Sequence, residues 1–188
     1  FMPFDGLQLL EKALGLAGQS TPAFTGTEEI YQAFLAELST SLEHLYQAVI
    51  ARPYVYTPED GWYLPEEDRS IVVSLFEDGC IEKARTYNNL GPNYIVRSPH
   101  IGGAPDIANS LYAIQKLVFE EQRVTLPQLI QILRNNWEGE ETLRQYVRNR
   151  YTYYGNDSEA DTWLCRVLQD FAVLVDSCKQ ENTAPVKF

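Results

Sequence analysis

The run from Gly91 to Leu111 restricts this chain more than any other stretch: Gly91-Pro92-Asn93-Tyr94-Ile95-Val96-Arg97-Ser98-Pro99-His100-Ile101-Gly102-Gly103-Ala104-Pro105-Asp106-Ile107-Ala108-Asn109-Ser110-Leu111. It reads as a tight turn, a short extended segment near 93–98, a glycine hinge and the start of an amphipathic helix. Pro105 suits a first helical turn, because the N–H it lacks has no intrahelical partner there anyway. Gly102 and Gly103 sit where the backbone must bend or approach something closely. Arg97 lies in the same run, as does His100, one of only 2 histidines in the chain. Polar groups gathered at a strand-to-helix junction mark the first place to look for a site.

The rest of the chain reads as helices separated by loops. Leu7, Leu10 and Leu14 suggest a short helix over 6–15. Thr27 is placed to cap a second, running to about 51, whose stripe is Ile30, Phe34, Leu38, Leu42, Leu45 and Val49, with His44 packed beside it. Pro53, Pro58, Gly61 and Pro65 punctuate an aromatic loop containing Tyr54, Tyr56, Trp62 and Tyr63, better explained by packing than by a ligand wall. A helix over 66–86 is expected from Ile71, Leu75, Cys80 and Ala84, and one over 105–121 from Ile107, Leu111, Ile114, Leu117 and Val118. Thr125 with Gln128 forms a capping-box pattern for a helix over 126–136. A short helix carries Leu143, Tyr146 and Val147. Gly155-Asn156-Asp157-Ser158 introduces a last one, with Leu164, Val167, Leu168, Phe171 and Val175 on its buried face. The fold class is mainly α, with at most one or two strands.

Composition narrows the function classes. At 188 residues the chain can bury a core, and 45% hydrophobic with 22% charged residues describes a globular protein. A formal charge of -11, with basic residues scattered, argues against nucleic acid as a partner. No apolar run reaches the roughly 20 residues of a membrane span. The first residues lack the basic and apolar regions of a signal peptide. Three cysteines (Cys80, Cys165, Cys178) without metal spacing suit reduced thiols and a cytoplasmic location.

The familiar nucleotide-loop, zinc and nucleophile-elbow motifs are absent from these residues, and no metal site is expected. Glu66-Glu67-Asp68, Glu120-Glu121 and Glu138-Gly139-Glu140-Glu141 read as solvated faces. Gly79-Cys80-Ile81-Glu82 could be a thiol with its acid–base partner. The periodicity favours a small buried thiol instead, since Cys80 continues an apolar stripe that excludes Glu82. Arg97 can grip a carboxylate with two donors and His100 can move a proton near neutral pH. Equally, Arg97 can pair with a surface acid and His100 can bond the glycine turn.

Three segments carry a resemblance: Asp78-Gly79-Cys80-Ile81-Glu82-Lys83, Gly91-Pro92-Asn93-Tyr94, and Asp106-Ile107-Ala108-Asn109-Ser110-Leu111 continuing to Glu121. With Asn136-Trp137-Glu138-Gly139, Glu141-Thr142-Leu143-Arg144 and Tyr154-Gly155-Asn156-Asp157 they resemble the glycyl radical enzymes, the pyruvate formate-lyase-like family, over roughly 26–178. The family includes glycerol and diol dehydratases and choline, isethionate and arylacetate lyases. The resemblance implies a segment of an α/β barrel, a partial domain over 1–188 with outer helices and one strand near 93–98. The family stores a radical on a glycine in an Arg-Val-x-Gly-Tyr-like loop and passes it to a cysteine on a second loop. Neither loop is in this chain, and Cys80 matches a different family segment, so no catalytic residue is expected here and the glycyl radical domain is absent.

By resemblance, Tyr94, Arg97, Ser98 and His100 border the substrate cavity. No cofactor is bound directly. The parent's protein-based radical is installed by a radical S-adenosylmethionine activating enzyme, and the implied partners are that activase, the remainder of the parent and a second copy in a homodimer. The expected function is therefore an inactive piece of a radical lyase, dehydratase or formate acetyltransferase. The alternative is a stand-alone helical scaffold or interaction module that has lost the chemistry.

Overall fold

The computed structural model describes residues 2–18, 22–50, 54–65, 70–96 and 98–178. In order these form β1 (Met2–Asp5), α1 (Gly6–Ala13), α2 (Thr27–Ile50), β2 (Val55–Thr57), β3 (Gly61–Tyr63), α3 (Ile71–Ser74), β4 (Pro99–Gly102), α4 (Ala104–Ile114), α5 (Leu126–Arg134), α6 (Glu141–Arg150) and α7 (Glu159–Ser177). The mainly helical class follows. Two compact units divide the chain.

The larger unit comprises Pro3–Leu42 and His100–Ser177. Its strands β1 and β4 pair with each other, and each leads directly into a helix, α1 and α4. Asp5 starts α1 by accepting the amides of Leu7 (3.0 Å) and Gln8 (3.2 Å). Beyond its other end the carbonyls of Gly15, Leu16 and Gly18 are all taken by the guanidinium of Arg134, at 2.6, 3.1 and 2.6 Å. A fork of fixed donors suits this cluster of carbonyls in the turn beyond the helix.

The core of this unit is built from Ile30, Tyr31, Phe34, Leu38 and Leu42 of α2, Ile107, Ala108 and Leu111 of α4, and Ile130 and Val167. Alanines let α4 approach α7 closely: Ala104 and Ala108 pack on Leu164, with Ile101 and Trp163 at the edge. The helix continues past Ile114 as a π-helical stretch, Gln115–Glu120, which keeps Leu117 and Val118 buried. The capping box at Thr125 and Gln128 forms as expected. Arg166 of α7 grips both oxygens of Glu28 of α2 (2.6 and 2.7 Å) and lies 4.3 Å from the centre of the Tyr31 ring. Tyr31 donates its hydroxyl to Asp170 at 2.6 Å.

The smaller unit comprises Phe1–Met2, Glu43–Pro99 and Cys178–Phe188. Its aromatic loop is a β-hairpin, with Tyr56 opposite Trp62 and their rings edge to face at 5.5 Å. Such an edge-on pair suits the ring quadrupoles.

The structure departs from the sequence pattern at several places. The helix over 66–86 is a single turn, α3, followed by turns and a 3-10 segment, Tyr87–Asn89; residues 66–69 lie outside those described. Gly79 at φ 94° and Ala84 at φ 52° take left-handed backbone, which no continuous helix accommodates. The strand expected near 93–98 lies at Pro99–Gly102: Pro92 to Tyr94 bend, and proline is tolerated as a strand's first residue. Thr27 does not cap α2, and among the described residues its buried hydroxyl finds no hydrogen-bond partner. Instead the Glu29 carboxylate accepts the Thr25 amide (2.6 Å) and hydroxyl (2.8 Å). His44 faces solvent, and Leu168 is exposed on α7.

Candidate functional site

Residues Asp78 to Tyr94 form a knot of turns in the smaller unit. Cys80 is buried within it, and burial pushes its thiol above the ordinary cysteine range, away from the reactive thiolate. Gly91 passes over that thiol so closely that a Cβ there would sit 2.7 Å from Sγ and 2.3 Å from the carbonyl oxygen of Arg85. The Asn93 amide donates to Asp78 (3.0 Å) and Lys83 Nζ donates to Pro92 (3.1 Å), which ties the two motif segments together. Arg85 donates to the carbonyl oxygens of Trp62 (2.6 Å) and Asp60, clamping the knot to the hairpin. A hollow of about 340 Å³ opens between Trp62, Arg85, Leu90, Pro92, Asn93 and Ile95.

In the larger unit the glycine hinge behaves as its residues suggest. Gly103 takes φ 73° as the residue capping α4, with Pro105 in the first turn. Asn109 of α4 accepts the Tyr154 amide at 2.9 Å. Asp161 accepts the amides of Gly155 (2.9 Å) and Ser158 (2.7 Å), which hold its carboxyl below the usual carboxylate range. Two of the resemblance segments, 106–121 and the Tyr154–Asp157 turn, are thus joined by a scaffold bond. A cleft of about 760 Å³ lies among α1, α4, α5 and α6. It is lined mainly by aliphatic side chains with Trp137 and Tyr153, and its Arg134 is already committed to backbone carbonyls.

Tyr94 is 92% exposed, between two residues that line the smaller hollow. Ser98 is half-buried in the same unit, and Arg97 lies outside the described residues. His100 stands on β4 with an exposed side chain. Neither cleft is lined by Tyr94, Ser98 or His100. Among the described residues, no three His, Cys, Asp or Glu side chains cluster to hold a metal, and no helix is long and apolar enough to cross a membrane. Sequence reasoning missed both clefts and the clamping roles of Arg85 and Arg134.

This scaffold, with its motif residues spent on holding turns, is shared. The sequence matches the family described as pyruvate formate lyase-like over residues 8–187. The chain belongs to the glycyl radical enzyme family. It is 36% identical over 120 residues to the probable dehydratase YbiW of Escherichia coli (strain K12), covering 62% of this chain and 14% of that protein. It is 28% identical over 149 residues to the trans-4-hydroxy-L-proline dehydratase of Clostridioides difficile, covering 79% and 18%. The substrate-bound structure of hydroxyproline dehydratase from that organism superposes with a TM-score of 0.64 at 23% identity, over 92% of this chain and 22% of the other. The glycerol-bound B12-independent glycerol dehydratase of Clostridium butyricum gives 0.61 at 20% identity, over 97% and 23%. These structural likenesses establish a shared fold. The chain spans between 14% and 18% of the length of these two curated relatives.

Proposed function

We propose that this chain is part of a glycyl radical enzyme of the dehydratase or lyase type and that it is inactive by itself. The observation that carries the reading is the match over 8–187 to the family, joined to curated relatives named as dehydratases and an isethionate sulfite-lyase. In this reading the chain supplies outer helices of the parent barrel and one wall of its substrate pocket. The parent carries the protein-based radical that abstracts hydrogen from substrate, and a radical S-adenosylmethionine activase installs it. This chain's own part is positional. Tyr94, Arg97, Ser98 and His100 are the candidate substrate contacts, and Arg97 suits an anionic group through its paired donors. Relatives named for hydroxyproline, a sulfopropanediol and isethionate act on hydroxylated molecules bearing a carboxylate or sulfonate, which favours such a substrate class.

Two measurements test this. The isolated 188-residue chain, incubated anaerobically with a glycyl radical activating system, gives no glycyl signal by electron paramagnetic resonance; a signal would overturn the inactive-piece reading. In the parent, Arg97→Ala raises KM for a carboxylate or sulfonate substrate at least about tenfold while the radical yield stays unchanged, as expected for the loss of one charge-assisted contact. An unchanged KM removes Arg97 from the pocket.

A further inference from the structure

The stretch from Ile71 to Ile81 is built inside out. Ser74 is buried: its hydroxyl donates to the Ser70 carbonyl and accepts the Tyr87 amide, both at 2.7 Å. Around this polar anchor, Ile71, Val72, Val73, Leu75, Phe76 and Ile81 are exposed by between 47% and 83%. Five of these fall within six consecutive residues, so a rise of roughly 1.5 Å per helical residue keeps their backbones within about 10 Å of one another. Because Ser74 pins the turn, the apolar side chains are held outward. A tied-down apolar cluster of this kind marks an interaction face.

We propose that this face docks against the part of the glycyl radical enzyme fold that lies outside this chain, on an aliphatic surface rimmed by Lys or Arg. The inference rests on the proposed function and assigns that parent's contact. Two observations select the occupant. First, the stretch lies inside the family match, and the solved relatives cover 92% to 97% of this chain while the match takes up only 22% to 23% of theirs. The face therefore belongs to the shared architecture, and most of that architecture is elsewhere. Second, Glu77 and Asp78 lie within the stretch and Glu82 directly follows it, and the chain carries a formal charge of -11. Two copies meeting here would bring like charges together, whereas a basic rim on the partner would be matched.

The test compares the isolated chain with the parent polypeptide, using wild type and the double variant Val72→Glu/Phe76→Glu. In the isolated chain the double variant leaves Tm within about 2 °C, since it alters only solvent-facing groups. In the parent it lowers Tm by roughly 5 °C or more, or gives insoluble protein. Hydrogen exchange on the wild-type proteins gives the reading that needs no variant: amides 71–81 exchange rapidly in the isolated chain and are protected in the parent. Rapid exchange there in both, or an unaffected parent Tm, overturns the proposal. So does a fall in the isolated chain's Tm, which would mean the face is covered within this chain. A self-associated isolated chain that the double variant turns monomeric assigns the face to a second copy and likewise overturns it. The mass of the native polypeptide reads the proposed function separately: a mass of about 21.5 kDa removes the parent and the occupant together, whereas a larger mass with failed docking removes only this face.

Discussion

Gly91 shows how much one missing methyl group can carry. A Cβ there would overlap the Arg85 carbonyl and the Cys80 thiol, and neither is the loose end of a flexible side chain. Gly91→Ala is expected to cost about 1–3 kcal/mol in urea unfolding through overpacking. A cheaper readout uses the thiols. Cys80 and Cys178 are buried and Cys165 is exposed, and none of the three is in a disulfide, so Ellman's reagent labels one thiol quickly in the native protein and two slowly. In Gly91→Ala the knot loosens and Cys80 labels faster; an unchanged slow phase means the loop accommodates the methyl. The burial of Cys80 was legible in the sequence, but the reason given was wrong. Periodicity put the thiol on a helix stripe, while the structure buries it with turns whose left-handed residues, Ala84 and Leu90 among them, carry no sequence mark. Glycine announces such a turn, and a β-carbon residue forced into it by tertiary contacts does not.

Elements with long, regular apolar stripes were read correctly because their burial is one-sided and repeated. α2, α4, α5 and α7 all fall where the spacing places them, and the capping box of α5 is formed atom for atom. What spacing could not supply is the pairing between helices. The Arg166 clamp joins positions 138 residues apart, and it is testable through pH. Arg166 and the amide of Gln32 hold the Glu28 carboxyl below its ordinary value of 4.5, so the folded state binds the proton less readily than the unfolded chain. The resulting stability is fully present above the unfolded value and is lost as pH falls from there through the lower folded value. Since Glu28 is more than half exposed, solvent screening limits the clamp to about 1 kcal/mol or less. Arg166→Met should therefore flatten part of the stability loss between pH 6 and pH 3.5 in urea titrations, and more so in low salt than in 1 M salt. Parallel curves for the two proteins would assign the acid sensitivity elsewhere. Asn109→Ala is expected to cost about 1 kcal/mol by freeing the Tyr154 amide, without shifting the pH profile.

At the scale of the whole molecule, burial is shared unequally between the two units. Among the described residues, most fully buried large side chains, including Ile30, Phe34, Leu38, Leu111 and Val167, belong to the larger unit, while the smaller unit contributes Tyr46 alone to that set. Local opening free energy follows apolar contact density, so the units should not exchange alike. Native-state hydrogen exchange of the isolated chain should show amides of α4 and α7 opening near the global unfolding free energy. Amides over 70–96 should open with far less. Leu111→Ala, which empties a fully buried site, is expected to lower protection across α4 and α7 by about 2–5 kcal/mol. The same variant should leave the exchange of residues 70–96 nearly unchanged, because their opening does not pass through that core. Uniform loss of protection over both units would mean that the chain unfolds as one cooperative body.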